Sequence, residues 1–212
     1  MRGKELVERY AVFLLGVYFM SWGIAFSVNA GLGTSPISSV PAAFSKLNIY
    51  TVGELTVLLN VVMIVLQIVL LKKDFQKIQL LQLPISFAFG FFIDSAHHML
   101  QAYPPTGYPH QMLYTLLGCV ILALGIAMEV LADVVMMSGE ALVAAICKTM
   151  GAQFPRMKVI LDITLVLLAV TCSYLLFGTV HGVREGTIIA AFLVGTIVRF
   201  VLPYMAKAMP WN

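Results

Sequence analysis

The strongest constraint on this chain is a set of apolar segments, each close to the length needed to cross a lipid bilayer. A transmembrane helix needs about 20 mostly apolar residues, and six segments of the 212-residue chain approach that length with at most one charged residue each. Backbone polar groups in lipid must be hydrogen-bonded within the segment, which predicts helices. The alternation typical of membrane β-strands is absent from these segments. The six segments are 10–28, 55–71, 78–93, 112–128, 159–177 and 187–204.

The composition excludes an ordinary soluble domain. Hydrophobic residues make up 60% of the chain and charged residues 11%, whereas soluble domains have about 45–50% and about 25%. The net charge of +3 does not indicate a nucleic-acid partner, because the basic residues lie at the edges of the apolar segments. Cys119, Cys147 and Cys172 are each within an apolar segment without metal-ligand spacing, so we expect no metal and no cofactor.

The second half of the chain repeats the pattern of the first at a fixed spacing. Segment 23–30, Gly-Ile-Ala-Phe-Ser-Val-Asn-Ala, shares five of eight residues with 125–132, Gly-Ile-Ala-Met-Glu-Val-Leu-Ala, 102 positions later. Single residues match at this spacing, and the last helices align after a short insertion. At the spacing of 102, Gly16 matches Gly118 and Asn60 falls on Asp162; after the insertion, Gly90 aligns with Gly195 and Asp94 with Arg199. The pattern predicts an internal duplication, with repeats over 9–102 and 111–206 in one transmembrane domain, 1–212.

Each half also has a short segment, 33–47 or 138–150, after its first long helix. Ser35 is predicted as the N-cap of the first, with Pro36 at the first helical position. Ser138 is predicted as the N-cap of the second, with Glu140 in the first turn. The expected fold is therefore all-α, with six full transmembrane helices and two short re-entrant or broken helices.

The basic residues predict the orientation of these helices. Arg2, Lys4 and Arg9 precede or begin the first helix, and the loop 72–77 carries three lysines. The positive-inside rule places both groups in the cytoplasm, which requires that 33–47 does not cross the membrane. Both termini are then cytoplasmic, and the halves are inverted relative to each other, as in many transporters. The alternative has eight crossings, parallel repeats and the loop lysines outside.

Charged residues within membrane segments are costly and usually face a cavity or a partner. Glu129 and Asp133 are four residues apart and are expected to share a helix face, with Arg199 as the partner of one of them. Lys158 and Asp162 have the spacing of an ion pair on one helix. The alternatives are a helix end in water for Glu129 and Asp133, and for Arg199 a side chain that reaches the headgroups.

A site between the repeats follows from these residues. The amides at the starts of the short helices are expected to hold an anionic group, while the acidic residues hold a cation or carry a proton. His97, His98 and His110 are expected to be solvated at the membrane interface. The expected substrate-binding or coupling residues are Glu129, Asp133, Glu140, Asp162, Arg199, Ser138, Thr34, Ser35, Asn60 and Asp94.

Two short motifs carry a family resemblance. They are Gly-Leu-Gly-Thr-Ser-Pro at 31–36 and Ser-Gly-Glu-Ala-Leu at 138–142. On these residues the chain resembles the bacterial YczE/YitT-type integral membrane proteins over nearly its whole length. The resemblance implies a location in the bacterial cytoplasmic membrane and a loose association with transport. It implies no catalytic residue.

The functional expectation is a secondary transporter, coupled to protons, for a small zwitterionic or cationic solute. Its partners would be the lipid bilayer and the solute, with a homodimer as an alternative to a monomer. A sensor or accessory subunit without transport activity is the alternative function, and a substrate-binding subunit of an ATP-driven importer is a variant of the first. An enzyme is not expected, because the sequence contains no recognisable nucleophile–base pair or metal-ligand set.

Overall fold

The computed structural model describes residues 3–209, and every regular element in this range is helical. Six of its α-helices are long and apolar enough to cross a membrane, which confirms the predicted all-helical fold with six long apolar helices. The two others have 9 and 13 residues, too few for a bilayer core of about 30 Å at about 1.5 Å per residue. The helices are α1 (Gly3–Ala30), α2 (Pro36–Phe44), α3 (Val52–Leu71), α4 (Gln82–Gln101), α5 (Tyr108–Ala132), α6 (Ser138–Met150), α7 (Phe154–Phe177) and α8 (Glu185–Ala208). Arg2 lies outside the described residues.

The outer surface is rich in large apolar side chains. Val69, Leu175 and Phe192 are 61%, 77% and 76% exposed. Such a surface is unfavourable in water and suits contact with lipid. The most exposed long helix is α8, with 6% of its most apolar stretch buried.

The helices pack in two connected groups. In the first, α1 packs against α4 and α5, and α5 packs against α8. In the second, the short helices α2 and α6 pack against both α3 and α7. Met63, Leu142 and Leu165 form the buried centre of this second group, and Ile37 of α2 packs against them. The two groups join where α3 packs against α4.

Glycines let α1 and α5 approach backbone to backbone. A Cβ atom on Gly16 would lie 2.8 Å from the carbonyl oxygen of Gly125, and one on Gly118 would lie 2.8 Å from that of Gly23. The helices are antiparallel, because the earlier glycine of each contacts the later glycine of the other. Side chains at these positions would separate the two helices.

Hydrogen bonds bring three helix ends and one loop together at one end of the bundle, here called the cavity end. Asn29 near the end of α1 contacts His97 near the end of α4. Asp94 of α4 binds the start of α3, and Arg184 in the α7–α8 connection binds the carbonyl of Gly31 at 3.1 Å. The end of α1, the start of α3, the end of α4 and the α7–α8 connection are therefore neighbours.

The opposite end is defined by a second set of contacts. The guanidinium of Arg9 in α1 donates to the carbonyl oxygen of Ala132, the last residue of α5, at 3.2 Å. Lys148 of α6 forms an ion pair with Asp74, just after α3, at 3.6 Å. The start of α1 and the ends of α3, α5 and α6 thus lie at the opposite end.

The short helices begin close to the predicted residues, but their N-termini are capped differently from the prediction. Ser35 is the N-cap of α2 and Pro36 follows it, as predicted, although the Ser35 hydroxyl donates to Ser38 and does not cap the backbone. The prediction of Ser138 as N-cap of α6 is wrong, because the cap is Met137. The amide of Met137 donates to Oε1 of Glu129 at 2.8 Å. A glutamate of α5 therefore supplies the acceptor that a capping box takes from its own helix.

Candidate functional site

A polar cavity of about 1040 Å³ occupies the cavity end. Its wall includes the end of α1, both ends of α2, the start of α3, the end of α4 and the connection between α7 and α8. Both halves of the chain therefore contribute to it. Its polar and charged lining residues are Ser27, Asn29, Thr34, Ser45, Lys46, Asn48, Tyr50, Thr51, Asp94, His97, His98, Gln101, His181 and Arg184.

Asp94 is in the cavity wall, and both of its carboxylate oxygens bind the start of α3. Oδ2 accepts a hydrogen bond from the Thr51 hydroxyl at 2.6 Å, and Oδ1 accepts one from the Gly53 amide at 2.8 Å. Because the start of a helix carries partial positive charge, it also stabilises this carboxylate. Asp94 therefore joins α4 to α3, which leaves it less available as a ligand for a cation.

Asn29 fixes the tautomer of His97. The Asn29 amide nitrogen donates to the carbonyl oxygen of Ala25 at 2.9 Å and lies 2.7 Å from Nδ1 of His97. A backbone carbonyl can only accept, so the amide nitrogen must face it, and the second hydrogen of that nitrogen points to Nδ1. His97 then carries its proton on Nε2. The ring is half-buried in the cavity wall.

The basic residues of the cavity wall differ in their partners. The Arg184 guanidinium forms an ion pair with Glu185 at 3.0 Å and also donates to the carbonyl of Gly31. Lys46, which follows α2, is exposed to the cavity and has no hydrogen-bond or ion-pair partner within residues 3–209. The wall thus presents one ammonium group that the rest of the described chain does not neutralise.

The predicted polar residues of the short helices do not share one cavity. Thr34 lines the cavity, whereas Ser35, Ser138 and Glu140 do not. The helix starts meet through apolar contact instead, since a Cβ on Gly139 would lie 2.8 Å from the end of the Ile37 side chain. The four residues were predicted to line one site, and the structure does not bring them together in one cavity.

Three buried polar groups lack hydrogen-bond partners among the described residues. They are Oγ1 of Thr34, Nδ2 of Asn60 and Oγ of Ser138. All three residues are at most 4% exposed. A buried polar atom without a partner is costly and calls for an explanation in each case. Of the three residues, only Thr34 is in the cavity wall, and its hydroxyl oxygen is buried beneath the surface of the cavity.

Most of the predicted acidic residues gather at the opposite end, around Lys158. The Lys158 ammonium lies 2.9 Å from Asp162, which confirms the predicted pair, and 3.6 Å from Glu140. Glu129 is 8% exposed and close enough to Glu140 and Lys158 to interact electrostatically. Within the described residues no group of three His, Cys, Asp or Glu side chains is arranged to hold a metal ion.

Two predictions about charged residues are wrong. Asp133 does not share a helix face with Glu129, because α5 ends at Ala132 and Asp133 follows in a left-handed conformation with φ of 48° and an exposed side chain. Arg199 has no acidic partner within ion-pair distance in residues 3–209, and its side chain is exposed on α8. Helix α8 packs against α5 through a face that does not include Arg199.

Lys46, Asn29 and His97 form part of the cavity although the sequence did not indicate them as site residues. Their signals were weak: a lysine at the end of a short helix, an asparagine at the end of a long one, and a histidine near an expected interface. Asn29 aligns with Leu131 of the second half. A polar residue at a position that is apolar in the other half indicates a possible role for Asn29.

Comparison with known proteins gives a family and no function. An 86-residue segment is 34% identical to the "Uncharacterized protein YyaS" of Bacillus subtilis (strain 168), and it covers 41% of this chain and 41% of YyaS. The match therefore spans about two-fifths of that relative. No solved structure matches the chain. The resemblance to YczE/YitT-type proteins stays a prediction. Residues 7–203 match the "Family of unknown function (DUF6198)", and the chain belongs to this family.

Proposed function

We propose that the two halves are inverted repeats, each with three membrane spans and one re-entrant short helix. The packing supports this arrangement, because several of its main contacts occur in equivalent pairs, although within residues 3–209 the α3–α4 contact has no counterpart between α7 and α8. The pair α1–α4 has its counterpart in α5–α8, and α2–α7 has its counterpart in α6–α3. The contact of Gly16 with Gly125 likewise corresponds to that of Gly118 with Gly23 at the spacing of 102. Antiparallel packing of two matched helices is expected of inverted repeats.

The proposed orientation places the cavity on the outside of the bacterial cytoplasmic membrane. The opposite end has the greater share of basic residues, including Arg9, Lys72, Lys73 and Lys148. By the positive-inside rule this end faces the cytoplasm, and both termini lie there. The α7–α8 connection with Arg184 is then external. The chain works as a monomer or homodimer in this arrangement.

The proposed function is secondary transport of a small polar solute, zwitterionic or cationic. The main support is the polar cavity between the two halves. None of its lining residues takes part in the contacts that join the helices at the opposite end. Transporters with inverted repeats bind solute between the repeats and open to one side at a time. The geometry fits a state that is open to the outside.

In that cycle the contacts at the opposite end would separate when the protein opens inward. They include the Arg9 bond to Ala132, the Glu129 bond to Met137 and the Lys158 pairs. Proton binding to Glu129 or Glu140 would weaken the charge interactions there. The cavity would then receive solute from one side, and the cluster around Lys158 would control release on the other.

Uptake into liposomes tests the proposal. Purified protein is reconstituted, a pH gradient is imposed, and the uptake of labelled amino acids, amines and small quaternary ammonium compounds is measured. We expect at least one solute to accumulate, and to do so less when the gradient is collapsed. Protein-free liposomes are the control. Absence of uptake across the whole panel would refute transport.

A sensor or accessory subunit is the second possibility, and the same cavity supports it. In that case a solute would raise the thermal stability of the protein without uptake into liposomes. An ATPase that copurifies with the chain would instead indicate an importer subunit. The two measurements on one protein preparation therefore separate the alternatives.

A further inference from the structure

We infer that the solute bound in the cavity carries a carboxylate group, and that Lys46 and His97 bind this group. The inference rests on the proposed function and narrows its solute class from zwitterions and cations to molecules with a carboxylate. The hydrogen-bond donors and charges of the cavity wall support it.

The charged groups of the wall other than Lys46 already have partners. Asp94 accepts hydrogen bonds from the Thr51 hydroxyl and the Gly53 amide, and it lies at the positive end of α3. Arg184 is paired with Glu185. Lys46 is then the charged side chain of the wall that no described residue pairs or hydrogen-bonds. An anionic group on the solute is the complementary partner.

His97 offers a hydrogen-bond donor near the same place. Because Asn29 donates to Nδ1, the hydrogen of the neutral ring is on Nε2. Lys46 and His97 both line the cavity and are close enough to interact electrostatically. An ammonium and a ring N–H can each donate to one oxygen of a carboxylate, and such charge-assisted bonds are stronger than neutral ones.

Thr34 adds an unsatisfied polar group to the same wall. Its Oγ1 atom has no hydrogen-bond partner among the described residues, and the residue is 2% exposed in the wall of the cavity. The Thr34 hydroxyl can donate to a solute oxygen or accept from a solute N–H. Because this oxygen is buried beneath the surface of the cavity, a solute reaches it only if the wall around Thr34 shifts on binding.

Binding to a matched set of probes tests the inference. The full chain is purified in detergent, and its thermal unfolding is followed with alanine, leucine and phenylalanine, with the acids that lack their amino group, and with the amines that lack their carboxylate. The Lys46→Gln variant is compared with Lys73→Gln, which removes the same charge from an exposed lysine at the opposite end. Lys46→Arg keeps the charge.

We expect amino acids or acids to stabilise the wild type, while the matching amines do not. Lys46→Gln should weaken this binding by about 10- to 100-fold, as for the loss of a hydrogen bond to a charged group. Lys46→Arg should weaken it less, and Lys73→Gln should leave it unchanged. The inference is overturned if amines bind as tightly as acids, if Lys46→Gln binds normally, or if no carboxylate compound binds the wild type.

Uptake measured with the same probes separates this inference from the proposed function. Selective binding of carboxylates without uptake would refute transport and leave the inference standing. Uptake of amines but not of acids would support transport and overturn the inference.

Discussion

Gly16 and Gly125 contact each other through their backbones, because a Cβ on Gly16 would lie 2.8 Å from the Gly125 carbonyl oxygen and one on Gly125 would lie 2.6 Å from that of Gly16. The Gly16→Ala substitution should therefore force α1 away from α5. We expect it to reduce the free energy of unfolding by about 1–3 kcal/mol, the usual cost of an overpacked contact. Thermal unfolding in one detergent measures the change.

The matched control is Gly195→Ala, because no atom lies within 4 Å of a Cβ at Gly195 of α8. Alanine also favours a helix over glycine by about 1 kcal/mol, so this variant should be as stable as the wild type or more stable. Equal destabilisation by the two substitutions would contradict the close approach of α1 and α5.

The hydrogen bond from Met137 to Glu129 should stabilise the start of α6. Glu129→Gln keeps a side-chain oxygen for the Met137 amide, whereas Glu129→Ala leaves this buried amide without a partner. We expect Glu129→Ala to lose about 1–2 kcal/mol more stability than Glu129→Gln. Asp133→Asn, at an exposed residue nearby whose left-handed conformation asparagine tolerates, should have little effect. If alanine and glutamine at position 129 behave alike in thermal unfolding, Glu129 does not act as a cap.

Lys158 should contribute more to stability at the opposite end than the exposed Lys148. Its side chain is 27% exposed and neutralises Glu140 and Asp162, so Lys158→Gln leaves two half-buried carboxylates without a counter-charge. The expected loss is about 1–3 kcal/mol. The double variant Lys158→Gln/Asp162→Asn should recover part of it.

An exposed ion pair provides the comparison for Lys158. In the pair of Lys148 with Asp74 the side chains are 57% and 69% exposed, and Lys148→Gln should cost less than about 1 kcal/mol. Thermal unfolding of the three variants at one pH measures the differences. A larger loss for Lys148→Gln than for Lys158→Gln would reverse the assigned order.

Accessibility of introduced cysteines tests the proposed topology. In a background with Cys119, Cys147 and Cys172 replaced by alanine, Lys73→Cys should react with a membrane-impermeant thiol reagent only from the cytoplasmic side. Gln101→Cys, in the cavity wall, should react only from outside. Reaction of both from the same side would rule out the arrangement with six spans.

The sequence predicted features that depend on neighbours along the chain. The long apolar helices follow from segment length and hydrophobicity, and 138–150 has the bounds of α6. The ion pair of Lys158 with Asp162 follows from their spacing within one helix. These features require no knowledge of how the helices pack.

The predictions that failed depended on tertiary structure. Ser138 is not a cap, since the acceptor comes from Glu129 on another helix. Asp133 turns away at the end of α5. At the cavity, Thr34 and Asp94 were among the predicted site residues, but Lys46 and His97 become neighbours only when the chain after α2 packs beside the end of α4.

The sparse packing of α8 has a consequence for how the protein depends on its surroundings. Gly53 and Gly90 bring α3 and α4 into contact, but α7 and α8 form no comparable packed pair in the described chain, and Gly195 faces open space. The tilt of such a helix is set largely by bilayer thickness and by interfacial anchors. We therefore expect the choice of lipid or detergent to alter α8 before it alters any other span.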